Sequence, residues 1–85
     1  MPIVELYTSP LCGYCHAAKR LLSSKSVTYR EIDLSRDSGR RSEMLVRSNG
    51  SHTVPQIFIN DQHIGGCDEL HALERSGKLG VMLLE

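Results

Sequence analysis

The apolar positions of this chain fall into short strand-like runs separated by stretches with helical spacing. Ile3 to Thr8, "IVELYT", gathers β-branched and bulky residues at Ile3, Val4, Leu6 and Tyr7, and reads as a strand that Pro10 ends. From Tyr14 to Ser24 the spacing turns helical: Cys15, Ala18, Leu21 and Leu22 share one face, while His16, Lys19 and Arg20 fall elsewhere. "SSKS" closes that helix. Val27 to Leu34, "VTYREIDL", reads as a second strand. "SRDSGRRSEMLVRS" begins with capping-type residues and continues as a helix bearing Met44 and Leu45, stopped by Asn49-Gly50. "PQIFIN" and "QHIGG" are two short strands across a tight turn at Asn60-Asp61. Asp68 reads as the N-cap of a last helix, "ELHALERS", with Gly77 as its stop. The tail "LGVMLLE" is apolar enough to pack back on the core.

The order β-α-β-α-β-β-α predicts an α/β fold. A β-α-β crossover makes a parallel pair, and the hairpin adds an antiparallel pair to the same sheet. The expected architecture is a four-stranded mixed sheet with helices on both faces, in a single domain spanning residues 1–85.

Ten basic side chains balance ten acidic ones, which gives no support to a nucleic-acid partner or an anionic membrane surface. No apolar run approaches the ~20 residues of a membrane span. The start, "MPIVELYTSP", lacks the basic leader and apolar core of an export signal. The expectation is a cytoplasmic protein, where stable disulfides are unusual. Three cysteines are too few for a disulfide scaffold, so the pair Cys12 and Cys15 is expected to do chemistry.

Cys12-Gly13-Tyr14-Cys15 is a C-x-x-C at a strand-to-helix junction. The first amides of a helix lack intrahelical partners, and together with the helix dipole they favour a thiolate. A cysteine so placed can ionise at ~3.5–7.5 in place of ~8.5. Cys15 lies one turn further in, on the buried face, and should ionise less readily. The asymmetry makes Cys12 the attacker and Cys15 the resolver. Lowering a thiol from ~8.5 to ~5 raises its thiolate fraction at pH 7 about 30-fold, while its intrinsic nucleophilicity falls about 25- to 60-fold. The clearer gain is that Cys12 becomes a good leaving group, as an exchange catalyst needs. Two competing roles for the pair carry less weight. Plain buried cysteines on a helix are disfavoured because Cys12 precedes the buried face. A zinc site needs four ligands, and beyond this pair the chain has only Cys67 and the scattered His16, His52, His63 and His71, each read as a solvated surface residue.

Three motifs at compatible spacing, C-x-Y-C at 12–15, T-V-P at 53–55 and G-G-C-D at 65–68, resemble the glutaredoxin family in its small bacterial form. The resemblance covers nearly the whole chain. It implies a thioredoxin-like fold and a glutathione-dependent thiol–disulfide oxidoreductase. On this resemblance Pro55 is cis and sets the Val54 backbone beside Cys12, where Val54 offers its N–H and C=O to the cysteinyl unit of glutathione, with Thr53 at the rim. From the residues alone Pro55 would be a trans proline opening an edge strand. "GGCDE" resembles the family's second glutathione loop. Gly65 and Gly66 permit close backbone approach, and the free amides of the next helix suit the γ-glutamyl carboxylate. Asp68 is implied as partner of the γ-glutamyl ammonium, Cys67 as a backbone contact with a noncatalytic thiol, and Tyr14 as a wall of the groove. Arg41, in the first turn of the second helix, matches a position from which relatives reach the glycine carboxylate, and Arg47 is a weaker candidate.

Three departures stand out. Glu69 occupies a position where many relatives have a second aspartate. Ser9 stands where many carry a lysine, which removes one cationic contact to glutathione and the thiolate. Gly13 stands where dithiol relatives usually have proline. Relatives with a small residue there hold a [2Fe-2S] cluster between two protomers, through the first cysteine of each and two glutathiones. Cluster carriage through Cys12 is therefore the alternative function. The expected partners are glutathione and glutathionylated or disulfide-containing proteins, with the chain a monomer or a cluster-bridged dimer.

Overall fold

A computed structural model describes residues 2–84. Side-chain alternation along the first strand sorts the interior into two layers. Val4 and Leu6 enter one apolar cluster and Tyr7 the other. The strand, β1 (Val4–Thr8), is followed by α1 (Gly13–Ser24), β2 (Arg30–Asp33), α2 (Arg40–Arg47), β3 (Gln56–Ile59), β4 (Gln62–Gly65), α3 (Cys67–Arg75) and α4 (Lys78–Leu84). The strands lie in the order β2-β1-β3-β4. β1 runs parallel to β2 and antiparallel to β3, and β3 pairs antiparallel with β4. This is the mixed sheet that the element order predicts.

On one face Val4, Leu6, Ile57 and Ile59 of the sheet meet Ala18 and Leu22 of α1, Leu70 of α3 and Leu79 of α4. On the other, Tyr7, Ile32 and Phe58 meet Met44 of α2, joined by Leu34 and the partly buried Val54. Tyr7 and Phe58 pack edge to face with centroids 5.8 Å apart. The sheet thus carries three helices on one side and one on the other. Its β1 carboxyl end delivers the chain into the Cys12 turn.

The elements differ from the expected ones in three places. β2 starts at Arg30 and not at Val27. Val27 is consumed in closing α1: Ser26 takes a left-handed conformation (φ 59°) and Val27 N–H donates to Leu22 O at 3.3 Å, a Schellman-type stop. The apolar tail forms α4 and buries Leu79. Its seven residues include Gly80 and no capping side chain, so nothing but packing marks it as helical. The last long helix begins at Cys67 with Gly66 as N-cap, not at Glu69 with Asp68 as N-cap. The Glu69 carboxylate reaches back to Gly66 N–H at 2.6 Å and fixes that earlier start. The expected stops hold: Asn49, Gly50 and Gly77 adopt positive φ (59°, 99° and 80°), and the hairpin turn places Asn60 and Asp61 at 50° and 68°. No helix among the described residues is long and apolar enough to cross a membrane.

Candidate active site

Cys12 is the N-cap of α1, with an extended backbone (φ −109°, ψ 106°). Its sulfur accepts a hydrogen bond from Cys15 N–H at 3.1 Å. The position that Ser, Thr, Asp or Asn usually fills, satisfying an orphan amide of the first turn, is filled here by a sulfur. In the thiol form Cys12 S–H points to Val54 O at 3.6 Å. His16 Nε2 lies 3.1 Å from Pro10 O and ties the helix back to the turn before Cys12. Cys15 is fully buried, and all three cysteines are free thiols. Burial above all, then the hydrogen bond to Cys12, pushes the Cys15 thiol up to about 12. The partly exposed sulfur is therefore the one at the helix end, and the buried one holds its proton.

Val54, whose carbonyl faces Cys12, also walls a groove of about 290 Å³ bounded by Tyr14, Thr53–Pro55 and Gly66–Glu69. The Val54–Pro55 peptide is cis. Tyr14 stands 68% exposed at the groove edge. On the opposite side Gly65 adopts φ +120°, and a Cβ there would lie 2.8 Å from Glu69 Cγ. A Cβ on Gly66 would lie 3.2 Å from Glu69 Oε1 and 3.4 Å from Pro55 O. The two glycines thus let the α3 entrance approach the Pro55 turn. Cys67 opens α3 with its thiol buried and raised, chiefly by that burial, and its Sγ is 3.3 Å from His71 Nδ1.

The structure gathers Cys12, Tyr14, Thr53, Val54, Pro55, Gly66, Cys67 and Asp68 around one cleft. Asp68 is exposed at the second position of α3, and its carboxylate makes no hydrogen bond among the described residues. Arg41 does not line the groove; its Nη1 donates to His52 O at 3.0 Å, bracing the segment that leads into Thr53. Arg47 lies away from the groove altogether. Its guanidinium donates to Glu5 (2.7 Å), Tyr7 Oη (2.9 Å) and Asp61 (3.0 Å) and sits 4.0 Å over the Phe58 ring. Tyr7 Oη also donates to the Glu43 carboxylate. Arg47 therefore pins α2 to the sheet.

Sequence reasoning missed the role of Glu69 as the cap of α3, and of Gln56, which is 3% exposed and donates to Thr53. The signal for Gln56 was available: alternation puts it on the same buried face as Phe58. The description of every histidine as solvated also needs correcting. His16 and His52 are exposed, but His63 stacks on Phe58 at 5.1 Å and His71 sits half-buried against Cys67. No three His, Cys, Asp or Glu side chains among the described residues come together to hold a metal ion.

The glutaredoxin family model matches residues 4–64. Glutaredoxin 3 of Escherichia coli (strain K12) is 53% identical over 83 residues, spanning 98% of this chain and 99% of its own. A glutaredoxin of Pseudomonas aeruginosa (strain PAO1) is 52% identical over 83 residues, spanning 98% of each chain. Among solved structures, a buckwheat glutaredoxin–glutathione complex superposes with a TM-score of 0.89 at 32% identity, covering 98% of this chain and 77% of its own. The solution structure of Brucella melitensis glutaredoxin gives a TM-score of 0.81 at 49% identity, covering 95% of this chain and 87% of its own. With the family model matching residues 4–64 and a relative 53% identical along 98% of its length, this chain, with its C-x-x-C at a helix entrance beside a cis-proline turn, belongs to the glutaredoxin family of thiol–disulfide oxidoreductases.

Proposed function

We propose that this chain reduces protein–glutathione mixed disulfides, with Cys12 as nucleophile and glutathione as reductant. The observation that carries this is the position of Cys12 Sγ, 3.1 Å from Cys15 N–H and 3.6 Å from the Val54 carbonyl that walls the groove. The buckwheat relative in complex with glutathione supports the choice of ligand.

Glutathione lies extended along the groove. Its cysteinyl unit pairs with the Val54 N–H and C=O as an added strand would. Its γ-glutamyl carboxylate takes the open amides at the start of α3, with the helix dipole behind them. The Asp68 carboxylate meets the γ-glutamyl ammonium, and Tyr14 covers the sulfurs.

The Cys12 thiolate attacks the glutathionyl sulfur of the mixed disulfide. A new Cys12–glutathione disulfide forms, the old S–S bond breaks, and the client leaves as a thiolate that takes up a proton. A second glutathione thiolate then attacks the glutathionyl sulfur, releases Cys12 and leaves as glutathione disulfide. With protein disulfides Cys12 forms a mixed disulfide with the client, and Cys15 resolves it. Two glutathiones then reduce the Cys12–Cys15 bond. Cys15 must lose a proton to resolve anything, and burial holds that proton up to about 12. Burial thus disfavours resolution by Cys15, which favours the one-cysteine route.

Steady-state turnover of a glutathionylated peptide by the Cys12→Ser and Cys15→Ser variants tests this. Cys12→Ser should be inactive and Cys15→Ser should retain most of the parent rate. Full activity in Cys12→Ser, or none in the parent, overturns the proposal.

A further inference from the structure

Behind Thr53 the hydrogen bonds of three side chains run in one direction. Gln56 Nε2 lies 3.0 Å from Thr53 O and 3.2 Å from Thr53 Oγ1. A peptide oxygen only accepts, so the Gln56 amide nitrogen must face Thr53 and its oxygen must face the other way. That oxygen is 2.6 Å from His63 Nε2. It only accepts as well, so His63 Nε2 carries the proton. Gln56 Nε2 has no lone pair to offer, so Thr53 Oγ1 is the acceptor in its contact and the hydroxyl hydrogen is left over.

Gln56 and His63 are held in place by packing. Gln56 is 3% exposed, with its side chain on the sheet face of Tyr7 and Phe58. His63 pairs with Phe58 across β3 and β4 and stacks on its ring at 5.1 Å. Phe58 is covered in turn by the Arg47 guanidinium at 4.0 Å. Thr53 alone reaches the groove.

We infer that His63 and Gln56 are positioning residues that strengthen Thr53 as a hydrogen-bond donor to a carbonyl or carboxylate oxygen of the ligand. Gln56 holds the backbone and occupies one lone pair of the hydroxyl oxygen of Thr53, so the hydroxyl proton is left free for the ligand and the donated bond polarises it. A ligand bearing an acceptor at that rim is favoured over one bearing a donor. The inference rests on glutathione, or a glutathionyl group, being what the groove binds.

The test is steady-state kinetics with a glutathionylated peptide, alongside the rate of Cys12 alkylation by iodoacetamide, which needs no groove contact. Gln56→Met keeps the shape but loses the relay. It should raise KM about three- to tenfold, the worth of one or two hydrogen bonds, with kcat and the alkylation rate within about twofold of the parent. His63→Leu should raise KM by a smaller factor and His63→Gln, which restores an N–H donor, should recover it. Thr53→Val should raise KM as Gln56→Met does, and the double variant should be no worse than either single one. A parent that turns over no glutathionylated peptide overturns the binding proposal and the relay together. In an active parent, an unchanged KM in Gln56→Met overturns the relay alone. So do effects of Gln56→Met and Thr53→Val that multiply, or a fall of kcat and alkylation rate together with the loss of affinity.

Discussion

Cys15 donates its amide to Cys12 Sγ at 3.1 Å while its own thiol is completely enclosed. One residue thus helps to stabilise its neighbour's sulfur through the backbone and withholds its own through burial. The two members of the C-x-x-C are set apart by where the helix begins.

Alkylation of the reduced protein at neutral pH should therefore read out one thiol. Iodoacetamide is expected to modify Cys12 and to leave Cys15 and Cys67 unmodified on the same timescale, since burial raises both of the latter. Peptide mapping by mass spectrometry checks this. Labelling of Cys15 at a rate comparable to Cys12 would show that the asymmetry is absent.

Stability should fall in alkaline solution, in part through Cys15. In an unfolded chain a thiol ionises near ~8.5, whereas in the fold Cys15 keeps its proton up to about 12. Between these values the folded state binds more protons than the unfolded one, so its contribution is full below the lower value and declines as pH rises toward the upper. Thermal melts of the reduced parent should lose Tm from pH 8 to pH 11 more steeply than those of Cys15→Ser. Parallel curves would contradict the burial of an un-ionised thiol.

The glycines divide by what surrounds them. Gly65→Ala places a Cβ at 2.8 Å from the Glu69 side chain at φ +120°, and should cost about 1–3 kcal/mol in denaturant melts. Gly13 is the first residue of α1, and nothing lies within 4 Å of a Cβ there. Gly13→Pro should be neutral or stabilise by about 0.4–1 kcal/mol. The reverse ranking would mean that the α3 entrance is not packed as described.

Arg47→Ala separates structural from binding roles on α2. It strips Glu5, Tyr7 and Asp61 of a shared donor and uncovers Phe58. Glu5 is largely enclosed and Arg47 only partly so, which sets the expected loss at about 1–3 kcal/mol. The KM for a glutathionylated peptide should stay within about twofold. A selective loss of glutathione affinity at unchanged stability would return Arg47 to the binding site.

The sheet was legible because its strands carry their own punctuation. Pro10, Asn49-Gly50, Asn60-Asp61 and Gly77 sit where the chain turns, and the β-α-β-α-β-β order leaves few topologies open. The residues brought to the cleft were legible through three motifs, at 12–15, 53–55 and 65–68. Competition among capping groups and among tertiary partners was not. Val27 looks like a strand residue and closes a helix, because Ser26 adopts a left-handed turn beside it. Asp68 has capping chemistry, but Glu69 reaches Gly66 first. Arg41 and Arg47 are equally basic in sequence. Only the packing of α2 sends one to His52 O and the other to Glu5 and Phe58.

Mass spectrometry of Cys15→Ser after mixing with a glutathionylated peptide puts the central claim to its most direct test. The expected result is a single glutathione attached through Cys12, discharged as glutathione disulfide when free glutathione is added. No adduct, or one carried on Cys67, would contradict it.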